Sequence, residues 1–199
     1  MRLIFDSALS AGTRAEPPLS GRVAELGRRR FLIAVGALAL TPLTAAYAAP
    51  AADERSLWFV HTHTAETLSI TYFQDGAYIA HSLERVNHLL RDFRTNEVHT
   101  IDPALLDILF DLHAQAHRDE PFEVISGYRS PRTNAALRSR STAVAEHSLH
   151  MQGRAIDIRL RGFPTQRLRD LAIALRRGGV GFYPASDFVH VDTGRVRTW

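Results

Sequence analysis

The sequence of 199 residues contains no cysteine and no lysine. Without cysteine, the chain can form no disulfide, no thiolate metal site, no thiol nucleophile and no lipid-anchored amino terminus. Without lysine, Schiff-base chemistry and the P-loop lysine are excluded, and all 24 basic side chains are arginine. Any chemistry must therefore use histidine, carboxylate, arginine or hydroxyl groups.

Net positive charge is also missing from most of the chain, although the formal total is +3. Residues 1–48 hold six of the 24 arginines and three of the 21 acidic residues, so 18 of each sign remain in residues 49–199. A domain with balanced charge gives no indication of nucleic-acid binding. We therefore expect no nucleic-acid partner.

The amino-terminal segment has the pattern of an export signal. Residues 28–40 read RRRFLIAVGALAL, and a small-residue end, Ala46-Tyr47-Ala48, follows. A basic start, a short apolar run and small residues are typical of a cleavable signal, and the run is short for a bilayer span. The RR-x-F-L pattern at residues 28–32 resembles a twin-arginine signal. We expect residues 1–48 to be a leader that is removed after export, which leaves a periplasmic chain with no stable membrane anchor.

The remaining chain is predicted to form a linker at residues 49–56 and one domain at residues 57–199. Asp102 and Pro103 provide an N-cap and a first-turn proline for a helix whose apolar face continues to Ala116. Strands and helices do not alternate strictly, which favours an α+β fold with a small antiparallel sheet flanked by helices. Strands are predicted at residues 57–63, 66–73, 122–126, 154–160, 180–183 and 188–192, and further helices at residues 81–93, 131–137 and 164–177.

The stretch HSLHMQGRAIDI at residues 147–158 contains two candidate metal ligands. His150 lies in a loop, Asp157 lies in the middle of the following predicted strand, and Gly153 between them could let the chain turn back. His190 on the last predicted strand could provide a third ligand. Two histidines and one carboxylate leave a fourth zinc position for water, as catalytic zinc sites require.

A hydrolase also needs a base and a group that stabilises the oxyanion. Asp187 lies three residues before His190, so it must lie in the turn before the strand if both are to face one site. Arg129, in SGYRS just past a predicted strand, is the best candidate cation for a scissile carbonyl. Asp192 is a candidate hydrogen-bond acceptor for His190 or a partner for an arginine.

Other residues offer weaker alternatives. His147 competes with the neighbouring histidine as a ligand. His61 and His63 share one strand face, which can bind a metal, although an exposed hairpin is the expected setting. Ser126 and Ser148 are surrounded by no nucleophile elbow or ordered triad. Four aromatic residues are candidates for the wall of a substrate groove: Tyr128, Phe182, Tyr183 and Trp199.

Three segments together resemble a known family. SGYRSPRTN, SLHMQGRAIDI and GGVGFYP with DFVHVDTG are similar to the murein endopeptidase K group of the zinc D-Ala-D-Ala carboxypeptidase-like metallopeptidases, which have the hedgehog/DD-peptidase fold. The similarity covers about residues 56–199. It implies that His150, Asp157 and His190 bind one Zn²⁺ per chain. It also implies that Asp187 is the general base and that Arg129 binds the substrate carbonyl or carboxylate.

The same resemblance implies a function. Members of that group cut peptide cross-links in peptidoglycan, so we expect a monomeric zinc endopeptidase that acts on stem peptides during cell-wall growth or remodelling. The chain departs from some relatives, which have glutamate in place of Asp187 or histidine in place of Phe188. Two alternatives remain open: a D-alanyl-D-alanine carboxypeptidase or dipeptidase, and an inactive peptidoglycan-binding domain.

Overall fold

The computed structural model describes residues 53–141 and 144–199. The expected leader and residues 49–52 of the expected linker lie outside these residues. Among the residues that are described, no helix is both long and apolar enough to cross a bilayer. The first strand begins at Arg55, so the folded domain starts within the segment that was predicted to be a linker.

Strands and helices do not alternate regularly along the chain. The strands are β1 (Arg55–His61), β2 (Thr67–Gln74), β3 (Ala77–Tyr78), β4 (Phe122–Ser126), β5 (Ala155–Leu160), β6 (Gly179–Tyr183), β7 (Phe188–Asp192) and β8 (Arg197–Thr198). The helices are α1 (Ala80–Leu89), α2 (Pro103–Ala116), α3 (Pro131–Arg138) and α4 (Thr165–Leu175), with short 3₁₀ helices at Leu149–Gln152 and Pro184–Ser186. The predicted α+β class is confirmed.

One eight-stranded sheet has the strand order β3-β2-β1-β4-β5-β7-β6-β8. The predicted sheet was small and antiparallel, whereas this one is mixed, because β1 pairs with β4 and β6 pairs with β8 in parallel. Parallel neighbours need a long crossover connection, and α1 and α2 both lie between β1 and β4 in the sequence. The site strands β4, β5, β7 and β6 are antiparallel neighbours in the middle of the sheet.

Strand β5 shows how the two faces of the sheet differ. Ile156, Ile158 and Leu160 are at most 2% exposed and belong to the hydrophobic core. Helix α4 packs on β5, β6 and β7 and also contacts α2. Because side chains alternate along a strand, Asp157 points to the opposite face. The helices therefore cover the apolar face, and the other face is left for polar groups.

Capping residues begin the helices where the sequence predicts. The side chain of Asp102 accepts a hydrogen bond of 3.0 Å from the Ala104 N–H, and the Ser130 hydroxyl accepts one of 3.2 Å from the Thr133 N–H. The helix ends were predicted less well. Helix α1 stops at Leu89 and α4 at Leu175, in each case short of the predicted end. Arg176 then takes a left-handed conformation, so α4 ends before the two glycines that were expected to stop it.

Candidate metal centre

Two adjacent strands and one short 3₁₀ helix bring three candidate ligands together. Asp157 on β5 is paired directly with His190 on β7. His150 lies in the 3₁₀ helix that precedes β5, and this helix ends at Gly153 with φ +65°. A Cβ atom at Gly153 would lie 2.1 Å from the Thr100 carbonyl oxygen, so both the conformation and the space require glycine.

The donor atoms of the three side chains are close enough to share one ion. Asp157 Oδ1 lies 3.2 Å from His150 Nε2 and 2.9 Å from His190 Nδ1, and the two nitrogens are 3.1 Å apart. Ligands at 2.0–2.2 Å from a tetrahedral zinc lie roughly 3.3–3.6 Å from one another. Small movements of side chains would bring this set to that geometry. All three residues are buried.

Hydrogen bonds on the outer side of both rings orient the donors. His150 Nδ1 lies 2.7 Å from the Gly127 carbonyl oxygen, and His190 Nε2 lies 3.1 Å from an Asp192 carboxylate oxygen. A ring nitrogen that donates to such an acceptor leaves the other nitrogen of the ring with its lone pair, which here points toward Asp157. Two lone pairs and a carboxylate in one buried cluster suit a bound cation. The residues present therefore fit a metal ion.

The protonation states of the three candidate ligands also bear on metal binding. Burial would raise the pKa of Asp157, but His150, His190 and Arg129 hold it well below its ordinary value, so the carboxylate is ionised. Burial lowers the pKa of His150, which keeps this ring neutral. Burial opposes protonation of His190 too, yet its bonds to Asp157 and Asp192 raise its pKa. A metal must therefore compete with a proton at His190.

Arg129 lies beside the donors, as the sequence predicts. A β-bulge between Val124 and Ser126 places Ser126 opposite Asp157, and the Arg129 Nε donates to the Ser126 hydroxyl at 2.9 Å. The Arg129 guanidinium also forms an ion pair with the Asp157 carboxylate and lies 3.1 Å from His150 Nε2. The structure thus brings Arg129 to the three candidate ligands, and its catalytic role stays a prediction.

Asp187 lies in the predicted turn, but its carboxylate is not with the other candidate residues. The residue has φ +50° and directly precedes β7. Its carboxylate accepts hydrogen bonds from Thr165 Oγ1 and, at 3.3 Å, from Arg159 Nη1. These partners hold it in a neighbouring depression that Arg159 and Thr165 also line. The structure therefore does not bring the Asp187 carboxylate to the metal ligands, and its role as a base stays a prediction.

A pocket of about 610 Å³ opens over the three donors. Two of the four aromatic residues predicted for a groove, Tyr183 and Trp199, line it. Trp199 packs so closely on Gly181 that a Cβ there would lie 2.7 Å from the indole. The other two lie elsewhere: Tyr128 stacks on His99, and Phe182 packs beneath the Arg169 guanidinium.

Comparison with known proteins of similar sequence identifies the family of this chain. A family model described as "Peptidoglycan L,D-endopeptidase MepK" matches residues 49–199. The chain belongs to this family. The peptidoglycan L,D-endopeptidase MepK of Escherichia coli K12 is 41% identical over 177 residues, which cover 86% of this chain and 96% of that protein. The probable peptidoglycan L,D-endopeptidase MepK of Haemophilus influenzae Rd is 43% identical over 146 residues, which cover 73% of this chain and 78% of the relative. The resemblance stated from the sequence motifs is confirmed.

The pocket of this MepK-family chain is also lined by Arg94, which the sequence analysis did not select. His63 and His147, which the sequence offered as weaker candidate ligands, line the pocket too, and neither joins the three donors. His61 was expected in an exposed hairpin, which is wrong, because the side chain is fully buried at the end of β1. No feature of the sequence distinguishes Arg94 from the other arginines. Its position in the pocket depends on the folded structure.

Asp92 joins the two turns that carry the pocket arginines. It is 1% exposed and accepts hydrogen bonds from the backbone N–H groups of Arg94, at 3.0 Å, and Ser130, at 2.9 Å. Burial would raise the pKa of Asp92, but hydrogen bonds from Thr133 and Ser130 lower it to about 2. The ionised carboxylate therefore stabilises the folded chain and fixes Arg94 relative to Arg129.

We predict that the contribution of Asp92 to stability depends on pH. Its pKa is about 2 in the folded chain and about 3.9 when unfolded, so ionisation adds roughly 2–3 kcal/mol above pH 5, and this is lost as the pH falls toward 2. In denaturant titrations, the difference in free energy of unfolding between wild type and Asp92→Asn should shrink over that range. Asp75→Asn, in an exposed turn, is the control and should show no such trend. A difference for Asp92→Asn that is constant with pH would contradict the assignment.

Proposed function

We propose that this chain is a zinc-dependent peptidoglycan L,D-endopeptidase that hydrolyses cross-links between stem peptides. The observation that carries the proposal is the buried set His150, Asp157 and His190, with donor atoms 2.9–3.2 Å apart beneath a pocket. Membership of the MepK family supports the peptidase activity. The names of the relatives favour an L,D bond, in which an L-centre provides the carbonyl and a D-centre the amine.

The three donors would hold one zinc ion per chain. Zinc bound there supplies Lewis-acid chemistry, because it activates water for attack and polarises a carbonyl oxygen. Gly127 and Asp192 would keep the two rings in position through their outer nitrogens. Arg197 in turn fixes Asp192, since its Nη2 lies 2.7 Å from the carboxylate.

Two further side chains act on the substrate in this proposal. Arg129 donates to the scissile carbonyl oxygen and stabilises the negative charge that develops on it. Asp187 takes the proton from the attacking water and delivers it to the departing amine. Its neighbours Ser186 and Phe188 line the pocket, which supports this role. To perform it, the carboxylate has to leave Arg159 and Thr165 by rotation of its side chain.

The chain would work outside the cytoplasm. The RR-x-F-L pattern and the small-residue site at Ala48 support export by the twin-arginine route, with residues 1–48 as the leader. The family match begins at residue 49, directly after this site, which supports the boundary. The peptidase domain would then extend from Arg55, the start of β1, to Trp199, and would act as a monomer in the periplasm on peptidoglycan.

Digestion of purified cross-linked sacculi tests the proposed function. Zinc-loaded residues 49–199 are incubated with sacculi, and the muropeptides are separated and identified by mass. We expect L,D-linked dimers to fall and intact monomers to rise. Persistent dimers with loss of terminal alanine would replace the proposal with a carboxypeptidase. No change in any muropeptide would favour the inactive binding domain.

A further inference from the structure

Arg94 differs from the other arginines of the pocket in having no carboxylate partner. Three arginines line the pocket. Arg129 forms an ion pair with Asp157, and Arg197 with Asp192. Among residues 53–141 and 144–199, no carboxylate oxygen lies within ion-pair distance of the Arg94 guanidinium, and no residue accepts a hydrogen bond from it. The pocket therefore contains one cation whose hydrogen-bond donors are not used by the described protein.

The nearby Asp92 carboxylate does not form an ion pair with the Arg94 guanidinium. Its carboxylate oxygens accept from backbone N–H groups, including that of Arg94 itself. Asp92 therefore fixes the main chain of the residue and leaves the guanidinium to the pocket. Because this carboxylate is itself buried and bonded to the main chain, it cannot turn outward without losing those bonds.

An aromatic stack holds the Arg94 guanidinium in place. Its central carbon lies 4.1 Å from the centroid of the Phe93 ring. Phe93 is stacked in turn on His63, with ring centroids 4.2 Å apart and an interplanar angle of 12°. Contact with an aromatic face orients the planar guanidinium and leaves its edge donors free. A cation that is oriented in advance loses less entropy when it binds a ligand.

The surroundings of Arg94 compensate its positive charge only in part. Burial lowers the pKa of His61 to about 4 and also lowers that of His63, so both adjacent rings are neutral at neutral pH. Partial desolvation lowers the pKa of Arg94, the negative charge of Asp92 raises it, and the positive charges of Arg129 and Arg140 lower it, so that the net shift is downward. An anionic group placed here would relieve this repulsion.

We propose that Arg94, held on the Phe93–His63 stack, binds a free carboxylate of the stem peptide in the same pocket as the metal centre. Arginine presents two parallel N–H groups that match a carboxylate. Peptidoglycan stem peptides carry free carboxyl groups besides the bond that is cut. Arg94 thereby makes the site selective for substrates in which this carboxyl group is not amidated. The inference rests on the proposed function, because it takes its ligand from that substrate.

Binding of a stem peptide that contains no cross-link tests the inference separately from cleavage. Zinc-loaded protein is titrated calorimetrically with an uncross-linked muropeptide whose carboxyl groups are either free or amidated. The wild type should bind the free form about tenfold more tightly, the size expected for a partly exposed charged hydrogen bond. Arg94→Met should remove the preference, and Arg94→Lys, which keeps the charge but not the planar fork, should retain part of it.

Arg167 provides a matched control. It is an exposed arginine stacked on an aromatic ring, Phe163, with no ion pair among the described residues, and it does not line the pocket. Arg167→Met changes the net charge equally and should keep the wild-type preference. An equal preference in the wild type and Arg94→Met would overturn the inference, and so would equal binding of both muropeptides by the wild type. If the preference depends on Arg94 but sacculi are not cut, the proposed function fails while the carboxylate site stands.

Discussion

His190→Ala is expected to remove bound zinc and to lower turnover of cross-linked muropeptides by roughly 10³-fold. In the proposed site the ring provides one of three donors, and loss of a donor would forfeit the several kcal/mol of charge stabilisation that a catalytic metal supplies. Its Nδ1 lies 3.1 Å from His150 Nε2 and 2.9 Å from Asp157 Oδ1. Zinc content by mass spectrometry and initial rates on muropeptide dimers measure the two effects.

His147→Ala is the control for this prediction. His147 lines the same pocket but is not one of the three donors, so its variant should keep one zinc per chain. Because His190 is buried in β7, thermal unfolding of the variant separates loss of metal from loss of fold. A folded His190→Ala chain with full zinc and wild-type turnover would exclude this residue as a ligand.

Asp187→Asn is expected to lower kcat by roughly 10²–10⁴-fold, the usual range for loss of a general base. Zinc content should not change, because the Asp187 carboxylate does not contact the donor set. Stability should change little, since its side chain is 61% exposed in the ion pair with Arg159, and exposed pairs contribute little. The measurement is kcat on muropeptide dimers, together with zinc content and the melting temperature.

Arg159→Met distinguishes a base from a surface ion pair. This variant removes the Arg159 partner but leaves the Asp187 carboxylate in place, so it should retain turnover near that of the wild type. Equal losses in Arg159→Met and Asp187→Asn would show that the ion pair matters, and the role of a base would be abandoned. Full turnover in Asp187→Asn would have the same consequence.

The candidate ligands could be selected from the sequence because their signals are local. His150, Gly153 and Asp157 lie within eight residues, and the positive φ of Gly153 confirms the turn that the pattern predicts. His190 lies on a strand that alternation identifies. What the sequence could not show was the register, in which Asp157 is paired with His190 across two strands. Strand pairing joins distant segments and leaves no local pattern.

The positions of side chains in the turns were harder to predict. The turn before β7 was placed correctly, yet the direction of the Asp187 carboxylate depends on Arg159 and Thr165, which lie on other elements. Arg94 was missed because it follows helix α1 in a polar turn, where an arginine is ordinarily solvated. Its position in the pocket is fixed by Asp92 and Phe93, whose contacts with it appear only in the folded chain.

The parallel pairing of β1 with β4 was missed for a similar physical reason. Each strand was recognised from its own composition, and the sheet was predicted to be antiparallel. Helices α1 and α2 carry the chain back across the sheet, so β4 runs in the same direction as β1. Neither helix indicates by its own sequence which strand edge the chain will reach afterwards.

Anomalous diffraction at the zinc edge from crystals of zinc-loaded residues 49–199 tests the central claim most directly. We expect one peak, at about 2.0–2.2 Å from His150 Nε2, His190 Nδ1 and an Asp157 carboxylate oxygen. A peak at His61 and His63 instead, or no peak over β5 and β7, would contradict the metal centre and, with it, the proposed mechanism.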